Sequence, residues 1–245
     1  MLYRYFIHLS YNGTNYHGWQ IQHNAHTVQA ELNRALSLLL GHEVDTLGCG
    51  RTDTGVHARK YVAHFHTPKI LDTTEIVLKI NKMLPHDISV YDLHKVNLET
   101  NARFDARSRT YKYFITNVKN PFLQEFTTFI RFQLNLEAMN SAAALLLKQT
   151  DFTSFAKLHG NAKNNDCAVT EAYWSVNEDN NTIVFTISAN RFLRNMVRAI
   201  VGTLLDVGRA KISIADFKRI MEKKDRSASS TSAPAQGLFL WNVKY

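Results

Sequence analysis

The densest run of chemically capable residues in the chain is Gly48-Cys49-Gly50-Arg51-Thr52-Asp53-Thr54-Gly55-Val56-His57-Ala58. Its glycines allow tight turning and close backbone approach, and one carboxylate, Asp53, stands between Arg51 and His57. A carboxylate held beside cations can act as a nucleophile or stabilise positive charge that develops in a reaction. The same aspartate could equally serve an Asx turn that only holds the loop. A dinucleotide fingerprint is excluded by the glycine spacing and by a carboxylate standing where phosphate would approach.

Two other groups of side chains invite a chemical reading. His57, His64 and His66 raise a metal site, since His64 and His66 share one face of a strand. No carboxylate or cysteine completes that set at the usual spacing, so no metal is expected there. Arg191, Arg194 and Arg198 recur at helical spacing opposite Met196, Ile200 and Leu204. This stripe is either a solvated face or a row from which one arginine turns inward as a counter-ion, and spacing alone does not choose.

These residues need elements to position them. Residues 3–10 alternate as a strand, followed by the turn-rich Tyr11-Asn12-Gly13-Thr14-Asn15. Thr27 caps a helix with Val28, Leu32, Leu36, Leu39 and Leu40 at helical spacing, and Gly41 ends it. Residues 61–67 alternate as a strand, and Asp72 with Glu75 opens a second helix that halts before Pro85. Tyr111-Lys112-Tyr113-Phe114-Ile115 then parallels Tyr3-Arg4-Tyr5-Phe6-Ile7. A helix is expected from Asn135, and strands over 169–176 and 183–189, joined by a polar turn at 177–182. A long helix follows over 192–207, then one capped by Ser213 and Asp216, a loop at 227–235 and a closing strand at 238–245. Strands mixed with helices, many neighbours being joined by turns, indicate α+β rather than doubly wound α/β, with a duplicated αβ sandwich as the working arrangement.

Composition narrows the class. The chain has 245 residues, 45% hydrophobic and 20% charged, which excludes disorder and collagen-like structure and fits one large domain or two packed halves. No apolar run is long enough to span a membrane, and the first residues have no secretory signal character. Two cysteines without CxxC spacing argue against a disulfide framework, so a reduced, cytoplasmic protein is expected. The net charge of +8 is concentrated: residues 191–226 carry a surplus of six and residues 102–119 a surplus of four. Arginine-rich surplus fits phosphate contacts, and equally a solvated basic face.

Several blocks, taken together, resemble one family. Gly50-Arg51-Thr52-Asp53-x-Gly55-Val56-His57-Ala58 is similar to the catalytic motif of the tRNA pseudouridine synthase A family. So are Tyr11-Asn12-Gly13-x-x-Tyr16-x-Gly18-Trp19-Gln20, Ala106 to Tyr113, Asp151 to Phe155, and Phe192-Leu193-x-x-Met196-Val197-Arg198-x-Ile200-Val201-Gly202. Lys224-Asp225-Arg226 and Ala233-Pro234-Ala235-x-Gly237-Leu238-Phe239-Leu240 complete a series that keeps the family's order over nearly the whole length. Thr54, Arg59-Lys60-Tyr61 and Ile21 depart from the family pattern, at positions that bear on fine RNA contacts.

The resemblance implies an isomerase that converts uridine to pseudouridine at positions 38 to 40 of the tRNA anticodon arm. It implies the α+β pseudouridine-synthase fold, with two similar αβ halves whose antiparallel or mixed sheets form one continuous core and a central RNA-binding cleft. Residues 1–104 would carry the catalytic aspartate loop, and residues 105–245 the active-site tyrosine and arginine. Asp53 matches the catalytic aspartate, Tyr111 the active-site tyrosine and Arg198 the arginine paired with the aspartate. Tyr111, Arg51, His57 and Leu238 are expected to border the substrate. No cofactor or metal is implied, and the partners are tRNA and a second copy of the chain, both subunits touching the RNA. A nucleoside hydrolase would want two opposed carboxylates, and no second one lies in a comparably constrained loop. A non-catalytic RNA-binding module would keep the basic segments but have no need of Asp53.

Overall fold

Alternating side chains place Tyr5, Ile7, Leu9 and Tyr11 on one buried face of the first strand, β1 (Tyr3–Tyr11). The computed structural model to which it belongs describes residues 1–157, 164–177 and 181–245. The chain divides into two units, residues 1–107 with 240–245, and residues 108–239.

In the first unit β1 leads to α1 (Val28–Leu40), then β2 (Leu47–Gly48), β3 (His57–Thr67), α2 (Thr73–Asn81) and β4 (Ile88–Val96). Strands β3 and β4 pair antiparallel on either side of β1, and β2 adds to β3. The order β4-β1-β3-β2 is a split β-α-β arrangement. The helix signals have the physical basis expected of them. The Thr27 hydroxyl accepts from Ala30 N–H, Asp72 accepts from Glu75 N–H at 3.0 Å, and Val28, Leu32 and Leu36 are buried. Strand β3 starts at His57, four residues earlier than the alternation at 61–67 indicates. The register slips between the Leu9–Tyr61 and Tyr11–Ala58 pairs, so exposed Arg59 and Lys60 form a bulge that interrupts the period of two. Strand β4 is masked in the sequence for the same reason: a slip between His8 and Leu9 spaces its buried residues as Ile88, Val90 and Leu93.

The last residues return to this unit, where Arg107 N–H donates to Lys244 O at 2.8 Å and the Arg59 guanidinium lies 4.3 Å over the Trp241 ring. His64, 4% exposed, accepts from Ala102 N–H through Nδ1 at 3.1 Å. Burial, followed by the positive charges of Arg4 and His66, pushes its pKa down to about 4. The folded state therefore holds His64 neutral. Its contribution to stability is present above the ordinary histidine pKa and is lost as pH falls from there toward 4. Stability at about pH 5 is expected to be lower than at neutral pH by about 2 kcal/mol from this residue. Urea midpoints measured at both pH values for the wild type and His64→Gln check this: the variant's difference is expected to be smaller.

The second unit runs β5 (Ser108–Thr116), β6 (Thr128–Phe129), α3 (Leu136–Leu145), β7 (Val169–Asn177), β8 (Thr182–Ala189), α4 (Met196–Gly208) and α5 (Ile214–Lys223), ending in β9 (Leu238–Lys244), whose last residues belong to the first unit. Strands β5, β8 and β7 pair antiparallel in that order, and β6 adds parallel to β5. The polar turn expected at 177–182 includes residues 178–180, which lie outside the described residues. Antiparallel pairing with interspersed helices, five among the described residues, is a mixed α and β architecture and not a doubly wound parallel sheet. No helix among the described residues is long and apolar enough to cross a membrane.

Helix α4 departs from the long helix expected over 192–207. Asn195 takes a left-handed conformation with φ 65°, which starts the helix at Met196 and leaves Arg191 and Arg194 outside it. The three-arginine stripe on one helix therefore does not form. All residues of α4 except Arg198 and Asp206 are buried, so it is an interior helix rather than an amphipathic surface one. Gly202 lets the segment ending at Ala233 close over it: a Cβ there would lie 2.0 Å from the Thr231 carbonyl oxygen. Gly202→Ala is expected to cost about 1–3 kcal/mol net through this backbone clash, despite alanine's better helix propensity. A fall in thermal midpoint checks it.

Candidate active site

The Asp53 loop joins β2 to β3 in the first unit, and the loop after β1 holds it from behind. A Cβ on Gly18 would lie 2.3 Å from the Thr52 carbonyl oxygen, and one on Gly13 would lie 2.1 Å from that of Val56. Only glycine permits these two backbone segments to touch, and Gly18 in addition has φ +88°. Trp19 N–H donates to Thr52 O at 3.3 Å and Gly55 N–H to Tyr16 O at 3.2 Å. Val56 N–H returns to Asp53 O at 3.1 Å and closes the turn.

Side chains complete the clamp. The Tyr11 and Thr52 hydroxyls are bonded at 2.9 Å in a buried position. His57 is fully buried, and its Nδ1 accepts from Gly13 N–H at 3.0 Å, which puts any remaining ring proton on Nε2. The Trp19 and Tyr61 rings stack with centroids 4.1 Å apart, and the Tyr61 hydroxyl donates to Gly50 O. Asp53 is left half-buried and Arg51 exposed at the rim. A loop with its backbone fixed at both flanks fixes the carboxylate's position in advance, as chemistry at a single atom requires.

The three histidines raised as a metal set are each engaged separately. His57 meets Gly13, His64 meets Ala102, and His66 Nε2 accepts from Arg4 Nε at 2.8 Å. They form no ligand cluster among the described residues.

Tyr111, Arg198 and Leu238 belong to the second unit. Tyr111, opposite Ile187 in the β5–β8 register, packs edge-on to Phe192 with ring centroids 5.0 Å apart. Arg198 is held by both its backbone and its side chain. Its carbonyl accepts from Ala233 N–H at 2.9 Å, and its Nε donates to Ala233 O at 2.7 Å. The Tyr113 hydroxyl donates to Pro234 O at 2.9 Å and is bonded to Thr128 Oγ1 at 2.6 Å. Burial drives its pKa upward against the opposing effects of Thr128 and the Arg198 charge. Leu238 is buried at the start of β9.

The basic surplus of residues 191–226 is largely engaged within the second unit. Arg226 reaches Ser229 Oγ at 2.8 Å and Ser232 Oγ at 2.9 Å, fastening the segment that bonds Arg198. Arg219 pairs with Asp216, Lys224 with Asp151 at 3.1 Å, and Arg209 and Lys211 approach Asp206. Sequence reasoning left the i,i+3 pairs Arg209–Asp206 and Arg219–Asp216 unread, and the Lys224–Asp151 pair joins segments too far apart in the chain to give a local signal. It likewise missed Ser154, whose hydroxyl donates to Ile220 O at 2.6 Å and accepts from Asp225 N–H at 3.1 Å. The Asp151–Phe155 block is thus a brace between α5 and the segment that follows it.

Comparison with known proteins agrees across the whole length. A family model described as tRNA pseudouridine synthase matches residues 142–245. The tRNA pseudouridine synthase A of Bacteroides thetaiotaomicron is 51% identical, over 99% of this chain and 90% of that protein. That of Porphyromonas gingivalis is 48% identical over 99% of this chain and 97% of the other. The Clostridium acetobutylicum protein of the same name is 38% identical over 97% of each. With a clamped aspartate loop in the first unit, a braced arginine in the second, and such similarity spanning both, the chain belongs to the tRNA pseudouridine synthase A family, isomerases acting on tRNA uridine.

Proposed function

We propose that this protein isomerises uridine to pseudouridine at positions 38 to 40 of the tRNA anticodon arm, with Asp53 as the catalytic nucleophile. The observation that carries the assignment of Asp53 is the clamp: Gly13 and Gly18 bring a second backbone segment into contact with its loop on both sides. The reaction breaks the bond between N1 of uracil and C1′ of the ribose and forms a bond from C5 to C1′. C5 loses a proton and N1 gains one, so the balance requires no oxidant, reductant or water. A carboxylate can attack, or stabilise cationic character at the sugar, and the site must keep water from the detached base.

In this reading Arg198, held through its Nε by Ala233 O, supplies the counter-charge of the aspartate. Tyr111 stacks on the extruded base and offers a hydroxyl for proton transfer. Arg51 contacts the RNA backbone from its exposed position, and His57 acts through the loop it fastens. Leu238 contributes apolar wall. The protein works in the cytoplasm as a homodimer whose two subunits share one tRNA, each subunit being built from two αβ halves that divide near residue 104.

Product analysis on unmodified tRNA tests the chemistry. Pseudouridine without released base is expected. Accumulating free uracil would mean hydrolysis, and tRNA binding with unchanged nucleosides would mean a binding module.

A further inference from the structure

We propose that His8, Asp92 and His94 form a binding site for a late first-row divalent cation, with zinc the best fit. No step assigned above uses these residues. His8 lies directly opposite Asp92 in the β1–β4 register, and His94 follows Asp92 by two residues, so the strand period puts all three on one face of the sheet. The slip between His8 and Leu9 gives β4 an extra residue at this place, the kind of local irregularity that re-aims side chains.

The donor atoms converge. His94 Nδ1 is 3.0 Å from Asp92 Oδ2, His8 Nε2 is 3.8 Å from the same oxygen, and all three donors lie within 4.8 Å of one another. Tetrahedral zinc with bonds of about 2.0–2.1 Å places its donors about 3.3–3.4 Å apart, a value between the two shorter separations. Asp92 and His94 are about half exposed, so small rotations can close the remaining difference, and water can take the fourth position.

His8 supplies an independent observation. Its Nε2 is buried and has no hydrogen-bond partner among the described residues, although it points at the Asp92 carboxylate. A buried imidazole nitrogen without a hydrogen-bond partner is costly, and a cation shared with Asp92 and His94 would satisfy it. Two imidazoles and one carboxylate suit zinc, cobalt, nickel or copper better than magnesium or calcium. The bound ion would tie β1 to β4, a brace inside the first unit and apart from Asp53.

Tag-free full-length protein stripped with chelator is titrated with Co²⁺, read by the visible absorption of four-coordinate cobalt, and then with Zn²⁺ by calorimetry. One ion per chain is expected, with zinc displacing cobalt and raising the thermal midpoint. Asp92→Asn and His94→Ala are each expected to weaken binding at least about tenfold, since even partners of metal ligands carry 10–100-fold effects. His26→Ala, an exposed histidine paired with Glu31 in the same unit, is expected to leave binding unchanged. Both test substitutions are at exposed positions, and the zinc-induced midpoint shift, measured within each variant, reads binding separately from intrinsic stability. No signal by about 100 µM metal, or stoichiometric binding that survives both substitutions, overturns the site.

Discussion

Asp53→Asn is expected to bind tRNA with near wild-type affinity and to form pseudouridine at least about 10³-fold more slowly, because it removes the reacting group itself. Asparagine is nearly isosteric, and Thr52, Gly55, Val56 and His57 each hold the loop through bonds that the substitution does not touch. The fold should therefore persist. Single-turnover conversion with enzyme in excess, paired with filter binding of the same tRNA, separates the two effects. Conversion by the variant within tenfold of wild type would show that Asp53 is a loop residue and not the nucleophile.

Gly18→Ala should produce the second large effect, without touching any group proposed to meet substrate. Alanine must adopt φ +88°, which costs about 1–2 kcal/mol, and its methyl must find room 2.3 Å from the Thr52 carbonyl oxygen, a further 1–3 kcal/mol or so. The clash is relieved when the Gly18 segment and the Thr52–Asp53 backbone move apart, which disturbs the position of the carboxylate. A displacement near 1 Å at a reacting group costs about 10²-fold in rate. The expected result is a lowered melting point together with a fall of about 10²-fold in turnover at temperatures where the variant remains folded. Loss of stability with full turnover would show that the clamp serves the fold alone.

The clamp also marks how far the fold and the site are legible in the sequence. Three glycines around an aspartate announced a tight loop, and Thr27, Asp72, Ser213 and Asp216 marked helix starts that the structure contains. These are local signals, carried by hydrogen bonds between residues three or four apart. The reason for Gly13 and Gly18 was not local. Each is required by a carbonyl about forty residues further along the chain, and no spacing rule connects them. Strand β4 was lost because a bulge shifts its buried residues off strict alternation. The same period argument misplaced the start of α4, since one left-handed residue, Asn195, breaks a run whose apolar spacing continues through it.

Charge was legible as an amount and not as a set of roles. The surplus in residues 191–226 suggested a surface for phosphate, yet Arg226 is spent on serines and Arg219, Lys224 and Lys211 face carboxylates. Arg198 lies in a helix that is otherwise almost wholly buried, the environment in which a single guanidinium most needs a defined partner. That context emerges only after the helix is seen to be interior.

The most direct measurement is a nucleotide-resolution map of pseudouridine on bulk unmodified tRNA after incubation with wild-type protein and, side by side, with Asp53→Asn. New pseudouridine confined to positions 38 to 40 with the wild type, and none with the variant, is the predicted result. Modification elsewhere in the tRNA, or equal modification by the variant, would contradict the account.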